Sequence, residues 1–279
     1  FPTRRSSDLL IADHKSVDKQ IHIFNKNDFS YLTSIGNFGE GPEEITVMGC
    51  LAIDEAHHQL YVSDHAKQKI FSYDMDSVMV DSLYKPQVKT AMNETLFPSE
   101  YQYINDTLSI AVLIKPTSTS TFNQFLGRWN MNTGEMIPMK YTHPDIQKKR
   151  ITFAASEKAG IYVECYTRHD LMTICSLDGE LLYNIYGPDW DGGNGNKLQS
   201  FGTVMIGNDK IFVSYCGEDY ARDSFPTKIL VFDLEGNYLK TLETGYKISD
   251  CCYDSFNNRI ILSLNDVVQF AYLDIDGII

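Results

Sequence analysis

Hydrophobic and aromatic residues occur along this chain in short runs separated by polar turns. Four such runs follow one another at Cys50–Asp54, Gln59–Asp64, Lys69–Asp74 and Val78–Leu83. Short runs rich in β-branched and aromatic residues, bounded by turn residues, are typical of β-strands. This stretch is therefore predicted to form a four-stranded antiparallel meander.

The same unit recurs along the chain. Comparable sets of runs occupy about 99–139, 152–185 and 202–242, with partial sets at 9–36 and 248–279. The first partial set lacks a first strand, and the last barely begins its fourth strand at Ile278, as truncation at either end would explain. Six units at a spacing of roughly 45 residues are typical of propeller blades. The predicted fold is all-β: a six-bladed β-propeller of four-stranded antiparallel blades, with incomplete first and last blades.

The first nine residues match a translated reading frame of a common sequencing adapter. Residues 1–9 are therefore interpreted as an assembly artefact, and 10–279 as one propeller domain. The true N-terminus is then missing, so a signal peptide or lipid anchor would lie on the missing part.

Loop lengths predict which face carries function. Links between first and second strands are short, whereas second-to-third links and connections between blades are longer. Because long loops on a rigid scaffold usually carry binding residues, we expect a site on that face, around the axial channel. The candidate binding residues are Asp64, His65, Arg168, His169, Asp189, Trp190, Glu218, Tyr220 and Arg222.

Sequence motifs indicate no reaction centre. The chain contains no HExxH, GxSxG, P-loop or Rossmann motif, so no catalytic residue and no cofactor is assigned. Asp189 and Asp191 fit the start of an EF-type calcium loop, but Gly193 takes the next ligand position and no Glu follows. We therefore interpret this segment as a plain loop that presents Trp190 for stacking on a sugar or peptide, or for packing.

Charge and cysteine usage narrow the choice of partners. A formal net charge of −13 disfavours nucleic acid, which requires a basic face. No run of apolar residues is long enough to span a membrane. The six cysteines lack metal-ligand spacing and are interpreted as buried thiols.

One glycine-rich segment carries a family resemblance. Gly36, Gly39, Gly41, Pro42 and Glu44 fit G-x-x-G-x-G-P-x-E, and the segment resembles that signature of bacterial TolB-like six-bladed propellers. The strand repeats also resemble NHL-type blades. Many members of the family look like secreted or lipid-anchored envelope proteins, and the resemblance therefore implies a periplasmic or outer-membrane-anchored location. It brings no established catalytic residues.

Three functions remain open. The favoured one is a non-enzymatic binding or scaffold propeller of the cell envelope, whose partner is an unknown protein, peptide or glycan. An alternative is a metal-dependent hydrolase or lactonase similar to gluconolactonase-type propellers, with Glu44, Glu100 and Asp250 at inner-strand starts as metal ligands. The third is a sensor-domain or peptidase-associated propeller that has lost a flanking domain.

Overall fold

The computed structural model describes residues 8–81, 83–118, 121–147, 149–195, 197–222 and 224–279, without the side chain of Tyr220. The chain forms two compact units, the first ending at Pro138 and the second beginning at Met139. Each unit contains three antiparallel sheets. Six blades, of which the first and last have three strands, confirm the predicted six-bladed β-propeller.

The first unit holds the first three sheets. Its strands are β1 (Asp8–Ala12), β2 (Lys19–Asn25), β3 (Tyr31–Asn37), β4 (Met48–Asp54), β5 (Gln59–Asp64), β6 (Lys69–Asp74), β7 (Gln87–Ala91), β8 (Phe97–Asn105), β9 (Leu108–Pro116), β10 (Phe122–Trp129) and β11 (Met136–Pro138). The sheets run β1-β2-β3, β4-β5-β6-β7 and β8-β9-β10-β11. Apolar side chains from neighbouring sheets form shared cores. Because successive residues of a strand point to opposite faces, a sheet can pack against a neighbour on each of its two faces.

The second unit repeats this arrangement. Its strands are β12 (Ile151–Ser156), β13 (Ile161–Tyr166), β14 (Leu171–Ser176), β15 (Leu181–Tyr186), β16 (Leu198–Gly207), β17 (Lys210–Asp219), β18 (Lys228–Asp233), β19 (Tyr238–Glu243), β20 (Ile248–Asp254), β21 (Arg259–Leu264) and β22 (Phe270–Asp274). A short 3-10 helix, Tyr220–Arg222, follows β17. The sheets run β12-β13-β14-β15, β16-β17-β18-β19 and β20-β21-β22. Every residue of β13 is buried, whereas β15 is largely exposed, as expected for an inner and an outermost strand.

One predicted strand was wrong. The run at Val78–Leu83 does not form the fourth strand of its sheet; helix α1 (Met75–Val80) precedes that strand, which is β7. The helix begins because the Asp74 carboxylate accepts a hydrogen bond from the Ser77 amide at 2.7 Å, a typical N-cap. Met75 and Val78, three positions apart, then face the same side and are buried in the core.

None of the six cysteines, all of which the structure describes, forms a disulfide bond. Cys165, Cys175, Cys216 and Cys251 are buried, and Cys252 is half-buried. The neighbours Cys251 and Cys252 differ in exposure because successive strand residues point to opposite faces. Burial raises the pKa of Cys175 to about 11, which makes its thiolate scarce at neutral pH.

Candidate binding site

Four rings meet in the second unit where β15 ends. Trp190, in the link between β15 and β16, lies with its ring centroid 5.0 Å from Tyr186, 5.4 Å from His143 and 6.1 Å from His169. These four residues are called the aromatic–histidine cluster below. Tyr186 is 49% exposed and Trp190 is half-buried, whereas both histidines are buried. The cluster therefore combines an accessible aromatic surface with two buried imidazole groups.

Hydrogen bonds fix the state of His143. The Asp145 amide donates to His143 Nδ1 at 3.3 Å, so Nδ1 carries no proton. The proton is then on Nε2, which lies 3.1 Å from the Tyr186 hydroxyl and donates to it. The Tyr186 hydroxyl keeps its own proton free for another acceptor.

His169 presents an unsatisfied nitrogen. Its Nδ1 atom and Oδ1 of Asp191 are both buried, and neither has a hydrogen-bond partner among the described residues. The two atoms lie 4.0 Å apart, too far for a direct hydrogen bond. Buried polar atoms are seldom left unpaired in folded proteins, because the loss of hydration costs free energy. This gap is therefore the most distinctive polar feature of the cluster.

Asp170 holds the link between β15 and β16 through hydrogen bonds. Its carboxylate accepts a hydrogen bond from the Asp189 amide at 3.0 Å, and its backbone carbonyl accepts one from Gly187. A Cβ atom at Gly187 would overlap the Asp170 carboxyl group, so only glycine fits there. Burial raises the pKa of Asp170, although the bond from Asp189 opposes that effect.

A buried ion pair lies beside the cluster. The Lys149 ammonium and the Glu164 carboxylate approach to 2.7 Å, and the Tyr166 hydroxyl donates to the same carboxylate at 3.0 Å. Lys149 belongs to the link 139–150, which also supplies His143. The ion pair holds this link against the sheet, since Glu164 and Tyr166 belong to β13.

The two buried histidines should make stability depend on pH. Burial lowers the pKa of both His143 and His169 below the ordinary value of about 6.5. The unfolded chain then binds more protons than the folded one as pH falls through about 6.5, so the free energy of unfolding should fall in that window, by at most about 1.4 kcal/mol per pH unit for each proton. Urea unfolding at pH 7.5 and 5.5 measures the loss.

Two substitutions check which groups are responsible. His169→Gln should reduce the loss, whereas His14→Gln, at an exposed position, should leave it unchanged. The raised pKa of Asp170 acts in the opposite direction at lower pH, because there the folded state binds more protons than the unfolded one. A profile that is flat from pH 7.5 to 5.5 would contradict the burial of the histidines.

The structure brings together only part of the predicted site in this unit. His169, Trp190 and the backbone of Asp189 lie at the cluster, and the Asp189 side chain is exposed. Arg168 is exposed beside His169. The remaining candidates belong to the next sheet: Glu218 lies in β17 opposite Gln199, and Arg222 ends the 3-10 helix. Tyr220 begins that helix, and its side chain lies outside the described residues.

In the first unit, Asp64 is engaged by backbone groups. Its carboxylate is fully buried and accepts hydrogen bonds from the amides of Thr46, Val47, Ala66 and Lys67. The Lys67 ammonium bonds the carbonyl oxygens of Gly39, Gly41 and Glu44, and lies 3.8 Å from Asp64. The hydrogen bonds of Asp64 and Lys67 thus stabilise the conformation of the glycine-rich loop. The role of Asp64 visible here is structural.

His65 and Glu44 also pack closely within this unit. The His65 ring is half-buried against Phe97, and burial lowers its pKa. The Glu44 carboxylate accepts from the Gly41 amide at 2.8 Å. A Cβ atom at Gly39 would overlap that carboxylate, which explains the glycine on steric grounds.

The carboxylates of the alternative metal site have separate surroundings. Glu44 is bonded within its loop, Glu100 is an exposed residue of β8, and Asp250 accepts hydrogen bonds from Thr203 and from the Cys251 amide. Within the part of the chain that the structure describes, no group of three or more His, Cys, Asp or Glu residues is arranged to hold a metal ion. The metal-dependent alternative therefore gains no support from these residues.

A histidine–carboxylate pair elsewhere belongs to a turn. His57 Nδ1 lies 2.7 Å from the Asp54 carboxylate, and His57 is exposed. In the corresponding turn between β20 and β21, Asn257 bonds Asp254 in the same way at 2.8 Å. Because an amide replaces the imidazole in this second turn, we interpret the pair at Asp54 as a turn constraint.

Sequence reasoning missed His143, Tyr186 and Asp170, and it considered Asp191 only as a calcium ligand. His143 lies 43 residues from its partner Tyr186, so no local spacing connects them. A usable signal was present for Asp170: it directly precedes β14 in a link that already contained a predicted site residue. The polar residues of β13 were a second signal, since Glu164 interrupts an otherwise apolar run.

Comparisons with known proteins agree on the fold. A family described as a 6-bladed beta-propeller, DUF5128, matches residues 5–126, which is less than half of the chain. No curated protein matches the sequence. The narrower resemblance to TolB-like and NHL-type propellers stays a prediction.

Several solved structures share the architecture. A protein of unknown function from Bacteroides caccae is 12% identical with a TM-score of 0.57, over 97% of this chain and 91% of that one. A DUF4221 member from Bacteroides vulgatus is 10% identical with a TM-score of 0.66, over 96% and 90%. The extracellular domain of a candidate one-component system from B. thetaiotaomicron is 13% identical with a TM-score of 0.58, over 97% of this chain but 33% of that one. At such identities the likeness establishes the fold alone.

Membrane-spanning helices were also sought. Among the described residues, none of the helices has the length and apolar character needed to cross a bilayer.

Proposed function

We propose that this protein is a non-enzymatic binding propeller of the bacterial cell envelope, and that it holds its ligand at the aromatic–histidine cluster. The observation that carries the proposal is the pairing of the exposed Tyr186 ring and the half-buried Trp190 ring with the unsatisfied His169 Nδ1. Ligand sites commonly combine aromatic walls with a few well-placed polar groups. The cluster has both, at the end of β15 and in the adjoining links.

The scaffold favours binding over catalysis. The cluster offers a hydrogen-bond acceptor at Asp191 and an imidazole at His169, but no group among the described residues is within hydrogen-bond distance of Nδ1 of that imidazole. A general base needs such contact with the group it deprotonates. The acidic net charge further disfavours phosphate-rich ligands.

Two observations support the envelope location. The glycine-rich resemblance implies secreted or lipid-anchored relatives, and one structural neighbour is described as an extracellular domain. Fractionation of the native host into cytoplasm, periplasm and outer membrane, followed by immunoblotting, tests this part. A protein found only in the cytoplasm would contradict it.

The binding proposal predicts a specific loss in one variant. Trp190→Ala should weaken binding about tenfold or more, because the ring contact and the apolar area that it buries together contribute about 1.4 kcal/mol or more. Tyr238→Ala is the matched control, since Tyr238 is also exposed and also in the second unit, but in β19. Biolayer interferometry against a mixed panel of oligosaccharides and peptides measures both variants.

Two results would overturn the proposal. One is a panel ligand that binds wild type and Trp190→Ala equally well, because the cluster would then be no site. The other is chemical conversion of a bound ligand during incubation, detected by mass spectrometry, because the protein would then be an enzyme.

A further inference from the structure

We infer that the ligand of the aromatic–histidine cluster is a neutral carbohydrate, with a pyranose ring stacked on Tyr186 and Trp190 and one hydroxyl group between His169 and Asp191. This inference rests on the proposed function and names its ligand class. It follows from three properties of the cluster: the shape of its aromatic surface, the chemistry of the unsatisfied pair, and the local charge.

The aromatic surface suits a flat ring with apolar faces. The ring centroids of Tyr186 and Trp190 lie 5.0 Å apart and their planes are inclined by 56°, so a sugar ring stacked on the face of one meets the other at an angle. Sugar rings carry C–H groups on their faces and hydroxyl groups around their edges. Stacking buries the C–H face, while the edge remains available for hydrogen bonds. The Tyr186 hydroxyl group can donate its proton to an oxygen atom on that edge.

The unsatisfied pair selects a hydroxyl group. Asp191 Oδ1 can only accept a hydrogen bond when ionised, and it lies 4.0 Å from His169 Nδ1. Both atoms are buried, so a hydroxyl group reaches them by displacing the Asp191 side chain, which is 29% exposed; it then donates to the carboxylate and accepts from the imidazole N–H. An ammonium group has no acceptor, so it satisfies only Asp191. A carboxylate or phosphate group has no proton to donate to Asp191.

The tautomer required at His169 is available. Burial lowers the pKa of this imidazole, with His143 acting in the same direction and Asp191 opposing, so the ring is neutral near pH 7. A neutral imidazole carries its proton on one of its two nitrogens, and the hydroxyl fixes it on Nδ1. The ligand then needs no charged group of its own to complete the contact.

The surrounding charge disfavours acidic sugars. Asp170, just before β14, and Asp189 and Asp191, in the link between β15 and β16, lie around the cluster, and Lys149 is paired with Glu164. The three carboxylates outnumber the exposed Arg168 beside His169, so an anionic ligand would meet a net negative charge there. A neutral glycan meets no such penalty.

The two tryptophans make the test direct. Trp129 is fully buried in the first unit, whereas Trp190 is half-buried in the cluster. In the full-length Trp129→Phe protein, emission therefore reports Trp190 alone. Titration with maltohexaose, cellohexaose, mannohexaose and xylohexaose should produce a saturable blue shift and reduced acrylamide quenching with at least one of these neutral sugars.

Variants and matched probes separate the contacts. His169→Phe and Asp191→Ala should each weaken binding of the active sugar about tenfold, the loss of one well-placed hydrogen bond in a buried site. Glu157→Ala, at an exposed turn of the same unit, should leave binding unchanged. Sorbitol, which has hydroxyl groups but no ring face, should not shift the emission. An oligogalacturonide, which carries carboxylates, should bind about tenfold or more weakly than the neutral sugar.

The outcomes distinguish this inference from the proposed function. If a lysine-rich peptide shifts Trp190 emission and the neutral sugars do not, the carbohydrate inference is wrong and the binding site stands. If sugars bind and the His169 and Asp191 variants bind equally well, the hydroxyl bridge is wrong. If no probe, sugar or peptide, changes the emission or quenching of Trp190, both the carbohydrate inference and the proposed function fail.

Discussion

Replacing Glu164 with alanine is expected to lower the free energy of unfolding by about 3–5 kcal/mol, the usual cost of removing one partner of a buried ion pair. The Lys149 ammonium is only 6% exposed, and its partner carboxylate is 1% exposed. Without Glu164 the ammonium stays in a dry site with no counter-charge, and the Tyr166 hydroxyl loses its acceptor. Urea unfolding followed by circular dichroism measures the change.

Two further variants test whether the loss of stability comes from the burial of the ion pair. Lys158→Ala breaks the ion pair with Asp209, whose side chains are 82% and 69% exposed, and should change stability by less than about 0.5 kcal/mol. The double variant Glu164→Leu with Lys149→Met should recover much of the loss, because an apolar pair carries no desolvation penalty. A loss below about 1 kcal/mol for Glu164→Ala would mean that water reaches the pair.

Replacing Asp64 with alanine should cost about 3 kcal/mol or more, because several enclosed backbone amides would lose their acceptor together. The amides of Thr46 and Val47 belong to the end of the glycine-rich loop, and Lys67 would lose its nearby carboxylate. Hydrogen exchange at Thr46 and Val47 should therefore accelerate along with the loss in urea stability.

Glu55→Ala provides the comparison within the same sheet. Glu55 is an exposed carboxylate in the turn after β4, and its removal should change stability by no more than about 0.5 kcal/mol. Asp64→Asn keeps one acceptor oxygen and should lose less than Asp64→Ala. Equal stability of wild type and Asp64→Ala would show that the loop folds without this carboxylate.

The blades were predictable from the sequence because their signal is local and repeated. Each strand has its own apolar run, and turns such as Asp233–Gly236 recur between third and fourth strands. The error at Val78–Leu83 has a local cause as well. An apolar run of that length is compatible with a strand or a helical turn. Here the hydrogen bond from the Ser77 amide to the Asp74 side chain stabilises the helix.

The candidate site was predictable only in part because its contacts are distant in sequence. Trp190 and His169 were identified from loop positions, yet their partner His143 comes from the link 139–150, 43 residues before Tyr186. That link is held by the pairing of Lys149 with Glu164, which no spacing rule connects. The glycine-rich motif shows the same limit: its residues were recognised, but the lysine that binds its carbonyl groups, Lys67, follows two strands later.

The turn at Asp54 has a consequence for how such proteins diverge. The third residue after the aspartate must only donate a hydrogen bond, a condition that His57 and Asn257 both meet. Imidazoles can thus arise or disappear at this position by neutral substitution, without any gain or loss of chemistry. A geometric search for catalytic histidine–aspartate dyads would retrieve Asp54 and His57, but not their counterparts. A repeating fold therefore carries an internal control against false catalytic assignments.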